Sequence, residues 1–332
     1  MTSDTQPAVD NARIEAASAF AGRIREELSH VIVGQEHLLQ DLLIGLLTGG
    51  HVLLEGVPGL AKSLAVSCLA RAVNAEFSRL QFTPDLLPSD LVGTEIYNAK
   101  EAKFTVRKGP VFANFVLADE INRAPAKVQS ALLEAMQERQ VSIGGETFDL
   151  PRPFLVLATQ NPLEQEGTYP MPEAQVDRFA LKTIVEYPDR DEEIEILDRQ
   201  ARTKPVEDIK VVVEVSEIVE ARKLVDEIAI DDRLKAYIVD IAKATRAPRE
   251  CGLSDIEHFI QYGCSPRASI WLALASRAHA FLQGRGYVTP GDIKAIALQV
   301  MRHRLIPTYE AEAEGLSSDT LVKRVLETVP VP

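Results

Sequence analysis

The sequence is poor in cysteine and has no long hydrophobic run. Its three cysteines, Cys68, Cys251 and Cys264, form an odd and scattered set, which is a poor disulfide framework and favours a reducing compartment. The segment from Met1 to Asp10 is polar and acidic, unlike a signal peptide. The longest apolar runs, such as Leu42–Leu47, are far shorter than the roughly 20 residues that cross a bilayer. We therefore expect a cytoplasmic protein without direct membrane insertion.

Positive charge is also scarce. Lys and Arg number 36 against 49 Asp and Glu, which gives a formal net charge of −13. A surface of that sign repels phosphate backbones, so nucleic acid is not the expected partner. A local exception is a basic cluster with two aromatic neighbours: Tyr97, Lys100, Lys103, Phe104, Arg107 and Lys108. Such a mixture suits contact with a peptide or a nucleic-acid strand, and it is equally typical of a solvated hairpin tip.

The sequence does contain enough apolar residues for two domains. Its 332 residues are 46% hydrophobic and 26% charged, as in ordinary globular proteins. Residues 1–10 show no periodicity and are predicted to be disordered. Helices and short apolar strands alternate over residues 11–202, and residues 203–332 are helical almost throughout. We therefore predict an α/β domain followed by a small helical domain.

Five short apolar runs predict the strands of one sheet: 51–55, 77–82, 115–119, 154–159 and 181–185. Because they are apolar on both faces and alternate with helices, the sheet should be parallel and covered on both sides. Residues 94–107 and 141–150 are predicted to form β-hairpins, the second turning at Gly144-Gly145. Helical periodicity predicts helices at 11–29, 36–47, 62–73, 126–140, 191–200, 216–228, 231–247, 266–282 and 289–304. A further short helix is predicted within 172–179, just before the last strand of the sheet.

A glycine-rich turn joins the first strand to a helix. Its sequence, Gly56-Val-Pro-Gly-Leu-Ala-Lys-Ser63, is typical of a phosphate-binding loop, in which backbone N–H groups surround phosphate oxygens. Lys62 would add a positive charge, and the Ser63 hydroxyl would bind Mg²⁺. Ala61 occupies the usual position of a second glycine, where its methyl group could crowd the phosphates or strain the turn.

Polar residues follow two later strands. Asp119 and Glu120 end the strand that begins at Phe115, at the sheet edge where ligands collect in α/β proteins. Asp119 is predicted to hold Mg²⁺, and Glu120 to polarise the water that attacks the γ-phosphate. Asn161 ends the strand after that and could orient this water, although Asn-Pro is also ordinary turn chemistry.

Taken together and in this order, the motifs resemble the AAA+ ATPases of the MoxR family over residues 30 to 310. The strings that carry the resemblance are Leu54–Ser63, Ala118–Ala124, Ala158–Pro162, Pro172–Phe179 and Ser265–Ala268. Ala is common in the family at the position of Ala61. The fold implied is an AAA+ core with a parallel sheet between helices and an all-helical lid.

The resemblance also implies roles for individual residues. The ATP-binding set is Val33, Gln35, Gly56, Val57, Pro58, Gly59, Leu60, Ala61, Lys62, Ser63 and Leu64, with Val33 and Gln35 at the adenine. Asn161 matches sensor 1, Arg267 matches the sensor 2 arginine of the lid, and Arg178 matches an arginine finger that reaches a neighbouring subunit. The two hairpins would face the central channel of a ring.

The function implied is that of a chaperone-like remodeler. Family members form hexamers, hydrolyse ATP, and act on protein clients, often with a von Willebrand factor A domain partner. Two alternatives stay open: a nucleic-acid-dependent ring ATPase, favoured by the basic hairpin, and a nucleotide-gated adaptor that turns over ATP slowly.

Overall fold

The computed structural model describes residues 10–100, 102–162, 167–201, 203 and 209–332. All of the predicted disordered segment except Asp10 lies outside these residues, as do Lys204 and Pro205 near the predicted domain boundary. No helix in the described ranges is long and apolar enough to cross a membrane.

Two compact units make up the described chain. The α/β unit comprises Gly22–Phe179 and Thr183–Val219. The helical unit comprises the described residues up to Ala21, together with Ala180–Lys182 and Glu220–Pro332. The division of the sequence at residues 202 and 203 stays a prediction.

A five-stranded sheet with the spatial order β2-β5-β8-β1-β9 forms the centre of the α/β unit. Parallel pairing joins β2 to β5, β5 to β8 and β8 to β1. The strands are β1 (Val52–Glu55), β2 (Phe77–Gln81), β3 (Gly93–Asn98), β4 (Lys103–Lys108), β5 (Phe115–Asp119), β6 (Gln140–Ile143), β7 (Glu146–Asp149), β8 (Leu155–Gln160), β9 (Leu181–Ile184), β10 (Ile260–Tyr262) and β11 (Ile306–Pro307). The predicted parallel sheet is confirmed.

Helices surround the sheet and make up most of the helical unit. They are α1 (Asn11–Ser29), α2 (Glu36–Thr48), α3 (Lys62–Ala72), α4 (Pro88–Val92), α5 (Ala126–Glu138), α6 (Glu173–Val176), α7 (Arg190–Gln200), α8 (Val215–Glu227), α9 (Asp232–Arg246), α10 (Pro266–Leu282), α11 (Pro290–Met301), α12 (Tyr309–Ala313) and α13 (Ser318–Thr328). The predicted helices lie within a few residues of these bounds. The sequence analysis did not predict α4, α12, α13, β10 or β11.

The central strands are buried on both faces. Every residue of β5 is buried, and every residue of β8 is buried except the last, Gln160, which is half-buried. One side of the sheet packs into a cluster that includes Val116, Val156, Leu132 and Met136. This burial explains why the strands are continuous apolar runs rather than alternating patterns.

Both predicted hairpins are present. Strands β3 and β4 pair antiparallel from Gly93–Lys108 to Asn98–Lys103, and β6 pairs antiparallel with β7. The second hairpin turns at Gly144 and Gly145, whose φ angles are 60° and 86°. Positive φ at both central residues is the requirement of a type I′ turn, which matches the twist of paired strands.

Candidate functional site

A cavity of about 370 Å³ lies at the carboxyl ends of the central strands. This size falls within the range of small-molecule sites, about 300–1,000 Å³. The cavity is lined by Pro58, Gly59, Leu60, Ala61, Lys62, Ser63, Leu64, Arg79, Gln81, Asp119, Glu120, Thr159, Gln160 and Asn161. The parallel sheet thus brings the glycine-rich loop and the polar strand ends together, at the edge where α/β proteins bind ligands.

The loop between β1 and α3 has the backbone expected of an anion-binding turn. Ala61 has φ 55° and ψ 17°, in the left-handed region, and immediately precedes α3 without a side-chain cap. An alanine is strained there, because only glycine adopts this region at no steric cost. The first N–H groups of α3 therefore lack a capping side chain. The first three residues of this helix, Lys62, Ser63 and Leu64, line the cavity at its positive end.

Gly56 is required for a different reason. A Cβ atom at this position would lie 2.7 Å from the carbonyl oxygen of Val185. The start of the loop therefore packs tightly against the chain that follows β9. Gly56 and Val57 lie outside the cavity lining as described, and their predicted contact with ATP stays a prediction.

Lys62 lies within the cavity and close to its acids. Its Nζ donates to the carbonyl oxygen of Gly56 and to that of Val57, the latter at 3.1 Å. Burial lowers the pKa of Lys62 below its ordinary value, while Asp119, Glu120 and Glu55 act in the opposite direction. The ammonium group is thus partly desolvated, which strengthens its attraction for an anionic ligand.

Asp119 is held through both carboxylate oxygens. The Thr159 hydroxyl donates to Oδ1 at 2.6 Å. Ser63 Oγ lies 3.4 Å from Oδ2, and Arg79 donates to that same oxygen from Nε at 3.0 Å. Hydroxyl and carboxylate oxygens are the ligands that Mg²⁺ prefers, so the Ser63–Asp119 pair fits this metal.

Glu120 has a strained backbone and two side-chain partners. Its φ is 56°, in the left-handed region, and its N–H donates to Thr159 Oγ1 at 2.8 Å. Its Oε2 accepts from Gln81 Nε2 at 2.9 Å and lies 3.0 Å from Arg123 Nε. Residues in sparsely populated backbone regions cluster at functional sites, where the surrounding structure stabilises them.

Of three further predicted site residues, one lines the cavity and two lie outside its lining. Asn161 lines the cavity and is buried. Val33 and Gln35 are outside the lining as described. Gln35 has φ 58°, and its amide donates to the Glu186 carbonyl at 3.0 Å. The structure therefore does not test their predicted contact with adenine.

The two predicted functional arginines are not part of this lining either. Arg178 follows α6 and is half-buried, and its guanidinium has no hydrogen bond or ion pair within the described part of the chain. Arg267 is exposed in the first turn of α10, where its N–H donates to the capping Ser265 hydroxyl at 3.2 Å. Their predicted roles stay predictions.

Sequence reasoning missed Arg79, Gln81 and Thr159 as site residues. Arg79 and Gln81 are two positions apart on β2, so their side chains lie on the same face of the strand. The sequence therefore shows that Arg79 and Gln81 share a face, but not that this face lies beside the site. Their place in the site depends on the strand order, because β2 pairs directly with β5 and Gln81 lies opposite Asp119.

Comparison with known proteins agrees with this geometry. Residues 51–181 match the ATPase family associated with various cellular activities (AAA), and residues 254–325 match the AAA lid domain. A crystal structure of a proposed ATPase from Cytophaga hutchinsonii is similar over 97% of both chains, with a TM-score of 0.91 and 48% identity. The predicted AAA+ core and helical lid are therefore confirmed.

Curated relatives carry the name of the suspected family. Chaperone MoxR1 of Mycobacterium tuberculosis is 50% identical over 92% of this chain and 81% of its own length. Protein MoxR of Methylorubrum extorquens is 31% identical over 94% of this chain and 95% of its own length. With a glycine-rich loop and paired acids around one cavity, the chain belongs to the MoxR family of chaperone-like, nucleotide-binding AAA+ ATPases.

Proposed function

We propose that this protein hydrolyses ATP to ADP and phosphate with Mg²⁺ in the cavity beside β5, and uses that turnover to remodel a protein client. The observation that carries the proposal is the convergence on one cavity of Lys62, Ser63, Asp119 and Glu120. A cation, a hydroxyl and two carboxylates form the set that phosphoryl transfer to water requires.

The residues divide between holding the substrate and promoting the attack. The N–H groups at the start of α3 and the Lys62 ammonium would bind the phosphates of ATP. Ser63 and Asp119 would hold Mg²⁺, which when bound neutralises charge on the β- and γ-phosphates. Thr159 fixes the Asp119 carboxylate by donating to Oδ1 at 2.6 Å, so this oxygen is already oriented before substrate arrives.

Glu120 is the proposed general base. Its carboxylate would accept a proton from the attacking water, and Asn161 would orient that water. Gln81 and Arg123 hold the Glu120 carboxylate through Oε2. Because the Glu120 N–H is bonded to Thr159, one hydroxyl positions both acids of the site.

Two variants test this assignment. Lys62→Ala should lose ATP binding, measured by titration with a fluorescent ATP analogue. Glu120→Gln should keep ATP binding while turnover falls by about 10²–10⁴-fold. The matched control is Glu134→Gln, which changes an exposed glutamate on α5 and should leave both measurements unchanged. Hydrolysis by Glu120→Gln at the wild-type rate would contradict the role of Glu120 as the base.

The proposed working form is a ring, with six subunits as the family expectation. Arg178 supports this proposal, because its half-buried guanidinium has no partner in the described chain and so is available to a neighbouring subunit. A finger arginine is worth about 10³–10⁵ in rate in other nucleotide hydrolases. Arg267 would act as the lid sensor, and Val33 and Gln35 would contact adenine.

Subunit mixing tests Arg178. Arg178→Ala subunits mixed with Glu120→Gln subunits should regain activity, because one variant supplies the base and the other supplies the arginine. Mixing Arg178→Ala with the double variant Glu120→Gln/Arg178→Ala is the matched control and should stay inactive. Native mass spectrometry would verify co-assembly and count the subunits. Co-assembled mixtures that remain silent would argue against an intersubunit finger.

The β3–β4 hairpin is the proposed client contact. Tyr97 and Phe104 are 55% and 65% exposed, and their ring centroids are 5.3 Å apart. Lys108, a member of the basic cluster, does not contact this aromatic pair in the same way: its Nζ lies over the ring of Phe112, 4.7 Å from the ring centre. A von Willebrand factor A domain protein is the further partner that we propose, and a cytoplasmic location stays a prediction.

An ATPase assay separates this function from its alternatives. An unfolded model protein should stimulate turnover, and Tyr97→Ala/Phe104→Ala should reduce the stimulation. Stimulation by single-stranded DNA with steep salt dependence would instead favour a nucleic-acid-dependent motor. Turnover that stays near background at every protein concentration would favour the adaptor.

A further inference from the structure

Arg79 occupies an unexpected place in the nucleotide cavity. It lies on β2, the edge strand of the sheet as described, and reaches across to Asp119 on β5. Its Nε and Nη2 donate to Asp119 Oδ2 at 3.0 and 2.5 Å. Two nitrogens of one guanidinium therefore contact a single carboxylate oxygen.

That oxygen is also the one nearest to the proposed metal ligand Ser63. Thr159 already donates to Asp119 Oδ1, so Oδ2 is the oxygen that faces Ser63, with its Oγ 3.4 Å away. A divalent cation held between Ser63 and Asp119 would use Oδ2. The same oxygen is therefore a partner for two cations, the Arg79 guanidinium and the metal.

We propose that Arg79 is a positioning residue that competes with the divalent metal for Asp119 Oδ2 and thereby weakens metal binding at the nucleotide site. This inference rests on the proposed function, in which Ser63 and Asp119 hold Mg²⁺. Arg79 keeps the Asp119 carboxylate oriented until the metal arrives, and it withdraws when the metal binds.

Exposure makes such an exchange possible. The Arg79 side chain is 54% exposed, whereas that of Asp119 is 11% exposed. An exposed guanidinium can return to water at little cost, because ion pairs at the surface contribute little net free energy. Arg79 Nη2 also lies 3.5 Å from Gln81 Oε1, which offers an alternative contact on the same strand.

Metal affinity, measured without turnover, tests the proposal. The full chain is loaded with the non-hydrolysable analogue AMP-PNP and titrated with Mn²⁺, and unbound Mn²⁺ is read by electron paramagnetic resonance. Arg79→Gln should bind Mn²⁺ about three- to fivefold more tightly than wild type, the size expected for losing a competing exposed ion pair. Arg79→Lys keeps the charge with a single nitrogen, and it should give a smaller gain.

The matched control is Arg123→Gln. Arg123 also pairs with an acid of the site, but its partner is Glu120, with 3.0 Å between Nε and Oε2. This variant removes the same charge from a contact with the neighbouring acid and leaves the pair of Arg79 with Asp119 in place, so its Mn²⁺ affinity should stay within twofold of wild type. The difference between the two variants isolates the direct contact from the general change in charge.

The outcomes separate the inference from the proposed function. Arg79→Gln and Arg79→Lys affinities within twofold of wild type, or weaker, would overturn the competition. An equal gain in Arg79→Gln and Arg123→Gln would also overturn it, since net charge would then explain the effect. If wild type bound AMP-PNP but no Mn²⁺, the proposed metal site itself would fail.

Discussion

Each of the two units contains an aspartate paired with an arginine, and the two pairs differ in burial. In the helical unit, the side chain of Asp292 is 1% exposed and that of Arg285 is 27% exposed. In the α/β unit, the side chain of Asp119 is 11% exposed and that of Arg79 is 54% exposed. Asp119 lines a cavity, whereas Asp292 lies at the first turn of α11.

Each aspartate has three partner residues, so burial, and not the number of partners, separates the two sites. Asp292 accepts from His279 Nδ1 at 2.6 Å, from Arg285 Nη1 at 2.9 Å, and from the N–H and hydroxyl of Thr289 at 2.7 Å each. These contacts tie α10, the loop after it and α11 together. A carboxylate that is buried and fully bonded stabilises structure, whereas one beside a cavity with an exposed partner can exchange that partner for a ligand.

The largest expected effect on stability is at Asp292. Asp292→Asn should lower the free energy of unfolding by about 3 kcal/mol, because it leaves Arg285 and His279 without their carboxylate. Urea unfolding would measure the loss. The control is Asp255→Asn, whose pair with Arg324 has both side chains about half exposed and should cost less than about 1 kcal/mol. Equal losses in the two variants would remove the contrast.

Asp119→Asn should show the opposite behaviour. We expect ATP turnover to fall by about 10²-fold or more, because the proposed metal site loses its charged ligand. The free energy of unfolding should change by no more than about 1 kcal/mol, since the Arg79 partner is exposed. A steady-state ATPase assay and urea unfolding on the same preparation would check both expectations. A stability loss as large as that of Asp292→Asn would make Asp119 a structural residue.

The Asp292 network should also give stability a pH dependence. Burial raises the pKa of Asp292, but hydrogen bonds from His279, Arg285 and Thr289 outweigh it, so the folded-state pKa lies well below the ordinary value. Stability from a lowered pKa is complete above the unfolded value, about 3.9, and is lost as the pH falls further. The advantage of wild type over Asp292→Asn should shrink by about 1 kcal/mol between pH 5 and pH 3. An advantage independent of pH down to 3 would contradict this.

The smallest effect is expected at Ala61 in the glycine-rich loop. Ala61→Gly relieves a left-handed backbone with φ 55° and should stabilise the protein by up to about 1 kcal/mol, after the entropy of glycine is subtracted. Thermal unfolding would measure it. Ala131→Gly, the same change inside helix α5, should instead cost about 1 kcal/mol. A destabilising Ala61→Gly would show that the alanine methyl group makes contacts that outweigh the strain.

Regular local patterns accounted for most of the predicted elements. The helical unit contains an exception, because α13 was not predicted although its sequence has helical spacing. The residues buried on one face of this helix are Leu321, Val322, Val325 and Leu326. Strands β10 and β11 are different, since they have three and two residues and pair across a long sequence separation. Segments that short have no periodicity of their own.

For the candidate site, motifs within one continuous segment were recognisable from sequence. The glycine-rich turn places Lys62 and Ser63 next to each other in the chain, and Asp119 and Glu120 are adjacent at the end of β5. Arg79 and Gln81 carry no such motif. Their part in the site follows from the pairing of β2 with β5, which single-sequence reasoning does not predict.

The sequence by itself determined an α/β unit, a helical unit and the chemical groups of the glycine-rich loop, because periodicity and turn composition are local properties of the chain. The AAA+ core and lid were expected from the resemblance of its motifs to a known family. Only the tertiary structure decided that Thr159 bonds to both acids of the site, and that Arg79 shares Asp119 Oδ2 with Ser63. Those contacts depend on which strands become neighbours, and strand order is set by packing of the whole sheet.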